Sequence, residues 1–130
     1  MNCTTYTVRV YESGTKYWLN EKDQFHNEHG PAVEHANGYK AYWLNGKRHR
    51  TDGPAIEWSD GSKSYFLNGK RHRTDGPANE WSDGSKSYFL NNKYYSYEAW
   101  KKKTEKNNVK ELTVSQLSKL LGYDVKIVKE

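Results

Sequence analysis

The sequence contains few of the residues that build thick cores, disulfide frameworks or membrane spans. Its 130 residues include one cysteine, one methionine and three prolines. The lone Cys3 excludes an internal disulfide framework and a cysteine-based zinc site. Hydrophobic residues make up 34% of the chain, below the roughly 45–50% of a typical soluble domain, so a thin core is predicted. No apolar run approaches the ~18 residues of a membrane helix. No signal-peptide pattern opens the chain either, so we expect a cytoplasmic protein that does not contact membranes.

Aromatic and basic residues are abundant instead. The chain carries 11 tyrosines and 5 tryptophans against 3 phenylalanines, and its formal net charge is +5. Tyr and Trp rings have an apolar body and a polar tip, which suits a thin sheet whose faces remain partly wet. The positive charge permits an acidic partner without requiring one.

A unit of 23 residues is written twice, almost without change. Residues 42–64 and 65–87 differ only at Trp43, which is replaced by Phe66, and at Ile56, which is replaced by Asn79. A repeat period of about 20–50 residues indicates stacked copies of one supersecondary unit. The repeat therefore determines the architecture of most of the chain.

Each unit is predicted to contain two strands and two turns. The Asp-Gly dipeptides at residues 60–61 and 83–84 lie between residues that alternate in character. This pattern predicts two-residue type I′ turns, because glycine accepts positive φ readily. The strands that flank the first turn are expected over residues 55–59 and 64–68. A longer turn, closed by Gly-Pro, is expected over residues 68–77.

Degenerate copies extend the repeat on both sides. We therefore predict a mainly β fold, an elongated antiparallel meander of eight strands in which three long turns join four hairpins. The array is expected to cover residues 1–92, with units at about residues 5–20, 17–41, 42–64, 65–87 and 88–95.

Residues 93–130 are expected to form a small C-terminal α/β cap. Ser96 is predicted to cap a helix over residues 96–106, and Asn107-Asn108 is predicted to end it. A second helix over residues 113–122 and a strand over residues 124–129 are expected to follow.

The Asn-Gly-Lys-Arg-His segments at residues 45–49 and 68–72 resemble the MORN repeat, in which a Tyr-rich strand leads into Asn-Gly-x-x-His-Gly. This chain continues with His-Arg-Thr-Asp-Gly-Pro-Ala, and over residues 5–92 it looks closer to the LNGK–HR–DGPA repeats of small tailed-phage and large DNA virus proteins. The resemblance implies an elongated single-layer meander and a viral origin. Because MORN arrays mostly serve as protein- or lipid-binding platforms, it also favours binding over catalysis.

Three histidines recur at one place in successive long turns: His26, His49 and His72. Equivalent residues two strands apart lie ~10 Å from each other, too far to share one metal ion, whose bonds to His nitrogen are about 2.0–2.1 Å long. Within a turn, His49 with Asp52, or His72 with Asp75, can form a pair that resembles a general base. The alternative is structural: the Asp binds the turn backbone and the His packs against its neighbour.

Basic residues and tryptophans supply the candidate binding site. Cationic side chains interleaved with aromatic rings are typical of sequence-tolerant nucleic-acid binders and also suit an acidic protein surface. The alternative is that the charges only discourage pairing between exposed sheet edges. The candidate binding residues are Lys47, Arg48, His49, Arg50, Lys70, Arg71, His72, Arg73, Trp58 and Trp81.

The preferred hypothesis is a non-enzymatic macromolecule-binding protein, which the resemblance suggests is a phage-encoded inhibitor of a host defence or host-takeover target. One alternative is an RNA or single-stranded nucleic acid binder. Another is a sponge for small anionic ligands such as nucleotides, held between Arg48 and Arg71, and a third is a hydrolase or nuclease that uses the His–Asp turn. No cofactor and no metal are expected. The expected partner is a host protein in the host-cell cytoplasm. A homodimer formed by pairing of two sheet edges is an alternative.

Overall fold

The computed structural model describes residues 5–109 of the chain. The predicted helix over residues 113–122 and the predicted strand over residues 124–129 lie outside the described residues. Within the described range the chain is mainly β and forms an antiparallel meander, which confirms the predicted fold class.

Short strands follow one another across a single large sheet. In spatial order, its nine strands are β1 (Thr7–Val10), β2 (Lys16–Leu19), β3 (Val33–Glu34), β4 (Lys40–Ala41), β7 (Ile56–Glu57), β8 (Lys63–Ser64), β11 (Asn79–Glu80), β12 (Lys86–Leu90) and β13 (Lys93–Tyr95). Two small hairpins lie outside this order. They are β5 (Trp43–Leu44) with β6 (Lys47–Arg48), and β9 (Phe66–Leu67) with β10 (Lys70–Arg71). The prediction of eight strands was therefore wrong, since the large sheet alone has nine.

The Asp-Gly turns are not of type I′, so that prediction was wrong. At the first of them, the Gly61 N–H donates to the Trp58 carbonyl at 3.0 Å, and the Trp58 N–H donates to the Ser62 carbonyl at 2.9 Å. Gly61 has a φ of +91°, but Asp60 does not take a positive φ. This is a three-residue loop with one left-handed glycine. The Asp60 carboxylate accepts the Ser62 N–H at 2.8 Å, which stabilises this loop in place of the two-residue turn.

Type I′ geometry occurs instead at Asn-Gly, inside the predicted long turn. Asn45 and Gly46 have φ values of +48° and +79°, and Asn68 and Gly69 have values of +50° and +81°. Two consecutive residues with positive φ define this hairpin turn, and Asn-Gly is its preferred sequence. The predicted strand over residues 64–68 is accordingly divided between β8, in the large sheet, and β9, in a small hairpin.

The strand register gives the large sheet two chemically different faces. One face carries the row Tyr17, Val33, Ala41, Ile56, Ser64, Asn79 and Ser87. The other face carries a charge ladder in which cross-strand neighbours alternate in sign: Lys16, Glu34, Lys40, Glu57, Lys63, Glu80 and Lys86. Opposite charges in register favour this pairing over a slipped one.

The core is thin, as the composition predicts. Its buried cluster consists of Val33, Ala41, Ala55, Ile56 and Phe66, and partly buried aromatic rings pack around it. Farther along the sheet the buried row becomes polar. There the Ser64 hydroxyl, which is 1% exposed, donates a 2.6 Å hydrogen bond to the side-chain oxygen of Asn79.

The helix expected after residue 96 is present as α1 (Tyr97–Val109). Ser96 caps it, since its hydroxyl accepts the Ala99 N–H at 3.2 Å. The predicted end at Asn107-Asn108 was wrong, because α1 continues through both residues. Asparagine is only a weak helix former and does not stop a helix as proline does.

One side chain of α1 docks the helix on the end of the repeat array. Trp100 is 8% exposed, its ring centroid lies 4.8 Å from that of Tyr88, and its indole N–H donates to the Arg73 carbonyl at 2.9 Å. In the two preceding units an arginine covers the equivalent tyrosine. The residue one period after Arg73 is Ser96, so Trp100 covers the ring that this unit would otherwise leave open.

We expect Trp100→Ala to lower the free energy of unfolding by about 3 kcal/mol, because it removes a buried indole and its hydrogen bond. Urea unfolding followed by circular dichroism measures the change. Tyr94→Ala is the control, since Tyr94 is 64% exposed and its loss should change stability by less than ~1 kcal/mol. Equal effects of the two variants would contradict the docking role of Trp100.

The buried Ser64–Asn79 pair yields a second prediction. Ser64→Ala leaves the Asn79 amide oxygen buried without its donor, at a cost of about 1–2 kcal/mol. The double variant Ser64→Ala/Asn79→Ile recreates the Ala41–Ile56 pair of the neighbouring strands, so its stability should return to within ~1 kcal/mol of the wild type. Urea unfolding of all three proteins tests this, and costs that simply add would refute the coupling.

Candidate functional site

A repeated hydrogen bond to histidine joins each unit to the next. The backbone N–H of Asn45 donates to His26 Nδ1 at 2.8 Å. One and two units later, Asn68 donates to His49 Nδ1 at 3.0 Å, and Asn91 donates to His72 Nδ1 at 3.0 Å. An Nδ1 that accepts a hydrogen bond carries no hydrogen, so these contacts require the tautomer with its hydrogen on Nε2. These contacts, which we call the histidine clamp, support the structural interpretation of the three histidines.

A second repeated contact fixes Arg50 inside its own turn. Its Nε donates to the Asp52 carboxylate at 2.8 Å, and its Nη1 donates to the Pro54 carbonyl at 3.1 Å and to Glu57 at 3.3 Å. The guanidinium carbon lies 4.0 Å from the centroid of the Tyr42 ring. We call this set the arginine cradle.

Arg73 forms the same cradle one unit later, with Asp75, Pro77, Glu80 and Tyr65. The glycine of Gly-Pro makes room for each guanidinium. A Cβ on Gly76 would lie 2.7 Å from the Arg73 guanidinium carbon, although Gly76 has no positive φ. Both predicted binding arginines of this type are therefore satisfied within the fold.

The cradle also separates the two members of the proposed His–Asp pair. Asp52 binds Arg50, while His49 binds the next unit, and no hydrogen bond joins His49 to Asp52 within residues 5–109. The hydrogen bond from Arg50 and its positive charge lower the pKa of Asp52. Burial alone would lower the pKa of Arg50, but the hydrogen bond to Asp52 and the charges around it outweigh burial and leave that pKa raised. The turn is thus an ion pair with no free base.

The other arginine of each turn lies between aromatic rings of successive hairpins. The guanidinium carbon of Arg48 is 4.9 Å from the Trp43 ring and 5.5 Å from the Phe66 ring. Arg71 continues the row, at 5.3 Å from Phe66 and 5.8 Å from Phe89. Rings and cations therefore alternate in a cation–π ladder. Among the described residues, no carboxylate lies within salt-bridge distance of Arg48 or Arg71.

Exposed lysines extend this positive charge. Lys47, Lys70 and Lys93 each follow the tight turn of a hairpin and are exposed. The three hairpin segments, residues 42–50, 65–73 and 88–95, contain no acidic residue. We call the resulting surface the basic strip, and it consists of Lys47, Arg48, Lys70, Arg71 and Lys93.

The two predicted binding tryptophans lie at the edge formed by the short turns. The ring centroids of Trp58 and Trp81 are 5.9 Å apart, and Trp81 is 43% exposed. Tyr39 continues the row, 6.4 Å from Trp58. The structure thus divides the predicted set between the histidine clamp, the arginine cradle, the basic strip and this aromatic edge.

Two features escaped the sequence reasoning although the sequence carries a signal for each. The charge ladder is visible as a Glu and a Lys at matching offsets in every unit, once the strand register is known. Phe25 occupies the position of Arg48 one period earlier and packs on Trp43 with centroids 5.4 Å apart. The cation–π ladder therefore begins with an uncharged ring.

Residues 5–109 contain no group of three or more His, Cys, Asp or Glu side chains placed to hold a metal ion. No helix in the same range combines the length and apolar character that crossing a bilayer requires.

We expect Asp52→Asn to lower the melting temperature at pH 7, with the difference disappearing near pH 2. The folded-state pKa of Asp52 is lowered, so its stabilisation is complete above the unfolded value of about 3.9 and is lost as pH falls through the folded value. Thermal melts from pH 7 to pH 2 measure this. Glu21→Gln, at an exposed site, is the control and should change the melting temperature at pH 7 only slightly. A difference for Asp52→Asn that persists at pH 2 would exclude the charge as its cause.

Comparison with known proteins matched no family model, no curated protein and no solved structure. The roles assigned to the clamp, the cradle and the basic strip therefore follow from their geometry alone. The resemblance to MORN-type and LNGK–HR–DGPA repeats stays a prediction.

Proposed function

We propose that this protein is a non-enzymatic binding protein whose basic strip docks on an acidic surface of a partner protein. The observation that carries this proposal is the placement of Arg48 and Arg71 between aromatic rings, without a carboxylate partner among the described residues. Guanidinium groups held in this way lose little conformational entropy on binding. Arginine and aromatic residues are also the types that contribute most at protein interfaces.

The rest of the charge is largely compensated within the fold. Arg50 and Arg73 are each paired with two carboxylates, and the charge ladder alternates in sign across the other face of the sheet. The basic strip is therefore one of two places where uncompensated positive charge collects among residues 5–109, the other being the run Lys101–Lys103 on α1. Such a patch steers an acidic partner and sets its orientation.

Two contacts favour binding over catalysis. The Nδ1 of His49 accepts a backbone N–H of the next unit, and the Asp52 carboxylate binds Arg50. A general base needs a free nitrogen or carboxylate oriented by a partner group. Here both groups are already committed to holding the repeat together.

The geometry also favours a protein partner over nucleic acid or a nucleotide. Phe66 is 5% exposed and lies between Arg48 and Arg71, so its faces are not free to stack on a base. The same ring fills the gap in which a nucleotide would be held between the two arginines. With the viral resemblance, the proposed setting is the cytoplasm of a bacterial host, where the protein inhibits a host defence or host-takeover target.

The test compares two variants with the same loss of charge. The strip variant changes Lys47, Arg48, Lys70 and Arg71 to Gln, and the control variant changes the ladder residues Lys16, Lys40, Lys63 and Lys86 to Gln. Each protein is used as bait in host-cell lysate, with and without nuclease, and the affinity of each recovered protein is then measured at about 50 and 200 mM salt. We expect a nuclease-resistant partner that the control variant binds like the wild type and that the strip variant binds at least tenfold more weakly.

Two outcomes would overturn the proposal. One is recovery of nucleic acid alone, with affinity that falls steeply between 50 and 200 mM salt. The other is equal binding by the strip and control variants. Because Arg48 is half-buried between its rings whereas Arg71 is exposed, a second strip variant with only Lys70→Gln and Arg71→Gln is included, and circular dichroism checks that every variant is folded.

A further inference from the structure

An uncharged aromatic pocket lies at one end of the cation–π ladder. Its volume is about 430 Å³, and Val33 and the rings of Tyr17, Phe25, Tyr39, Trp43 and Trp58 line it. Its remaining lining residues are His35, Asn37 and Ser59, so it contains no aspartate, glutamate, lysine or arginine. Concave sites of this size, with apolar walls and a few polar groups, are typical of pockets that hold a ligand or an anchor side chain.

The pocket exists because the first full unit, residues 17–41, departs at the pocket walls from the second and third, residues 42–64 and 65–87. Phe25 occupies the position that Arg48 holds one period later, and His35 occupies the position of Trp58. Tyr39 occupies the position of Ser62, which is buried at 3% exposure. In the first unit a ring therefore replaces the cation of the ladder, and a second ring forms the opposite wall.

The pocket is continuous with the basic strip. Phe25 packs on one side of Trp43, with ring centroids 5.4 Å apart, and Arg48 packs on Trp43 at 4.9 Å. Arg71 follows one unit farther on, beyond Phe66. Since each unit adds two strands about 4.8 Å apart, Phe25 in the pocket wall, Arg48 and Arg71 follow one another at intervals of ~10 Å.

We propose that the pocket receives an aromatic side chain from an extended acidic segment of the partner, and that carboxylates of the same segment bind Arg48 and Arg71. This inference rests on the proposed function and specifies the chemistry of the partner. A peptide in the polyproline II conformation advances about 3.1 Å per residue with three residues per turn, so every third side chain faces the same way and three residues span roughly one unit. The predicted motif is an aromatic residue with Asp or Glu three and six positions away.

Charge complementarity selects an acidic peptide as the occupant. Arginine binds carboxylates through two parallel hydrogen bonds. The pocket itself contains no cation, so it suits a neutral ring and not a charged group. Aromatic anchors in such pockets commonly dominate the affinity of an interface.

A peptide array tests the motif directly. The array consists of Gly-Ser dodecapeptides that each contain one Trp and two Glu. The number of residues between Trp and each Glu is varied, with Trp either before or after the two Glu. Binding of the labelled full-length protein to each peptide is measured. We expect the strongest binding where Glu lies three and six residues from Trp, with at least a tenfold loss when Trp is replaced by Ala. Binding that ignores spacing, or no binding to any peptide, would overturn the proposal.

Substitutions already present in other units test the pocket itself. Tyr39→Ser introduces the residue that Ser62 provides in the next unit, and Asn37→Asp introduces the equivalent of Asp60 at an exposed position on the rim. We expect Tyr39→Ser to weaken binding of the best Trp peptide at least fivefold and to leave its Ala analogue unchanged. Asn37→Asp should weaken binding of the acidic peptides through repulsion. Tyr94→Ala is the matched aromatic control and should change nothing.

The two proposals fail in different ways. If a lysate partner is lost with the strip variant but kept with Tyr39→Ser and Asn37→Asp, the strip is an interface and the pocket proposal is wrong. If a 12-nucleotide single strand of DNA binds the pocket variants more weakly than the wild type and competes with the peptide, the occupant is a base. Melting temperatures measured beside the affinities separate loss of binding from loss of fold.

Discussion

The arrangement of the repeat depends on how each Asn-Gly hairpin satisfies its backbone donors. A type I′ turn places two residues at positive φ and leaves their N–H groups facing outward from the hairpin. In this chain the Asn45 N–H donates to His26 Nδ1, and the Gly46 N–H donates to the Phe25 carbonyl at 3.0 Å. The same two contacts recur between the second and third units. Because the acceptors belong to the preceding unit, the clamp fixes the spacing of all the hairpins, and with it the spacing of every side chain that they carry.

The clamp explains why two arginines of the same turn have different environments. Arg48 and Arg50 are two positions apart in the extended segment after the tight turn. Arg48 lies in a tight hairpin, and the hairpin of the next unit supplies Phe66, the second ring that the Arg48 guanidinium contacts. Arg50 lies over Tyr42 and meets the carboxylates of its own turn. Both arginines make cation–π contacts, but only Arg50 is neutralised by carboxylates. Arg50 therefore stabilises the turn, while Arg48, two positions before it, contributes positive charge to the basic strip.

Much of the fold can be predicted from the sequence because its signals are local and repeated. The order of residues alone predicts the repeat period, the alternation of hairpins and the helix cap at Ser96. The turn types are not predictable in this way, because one dipeptide forms two different turns. Asn37-Gly38 forms a three-residue loop in which the Asn37 side chain accepts the Tyr39 N–H, as Asp60 accepts the Ser62 N–H, whereas Asn45-Gly46 forms a type I′ turn. The contacts of Arg50 could not be predicted for another reason. They depend on which carboxylates the strand register brings near Arg50. They also depend on the space at Gly53, where a Cβ would lie 3.0 Å from the guanidinium carbon.

Near-identity between the units makes their few differences informative. The clamp, the cradle and the ladder use the same residue types in the two near-identical units, residues 42–64 and 65–87. The unit at residues 17–41 departs from them in its rings, since Phe25 takes the place of Arg48 and Tyr39 that of Ser62. In the buried row of the sheet, Asn79 bonded to Ser64 takes the place of Ile56. The array consequently changes from an aromatic, uncharged end to a polar and cationic one. The extended partner proposed above would bind such a surface in one direction, because only one orientation places a ring at the first unit and carboxylates at the second and third.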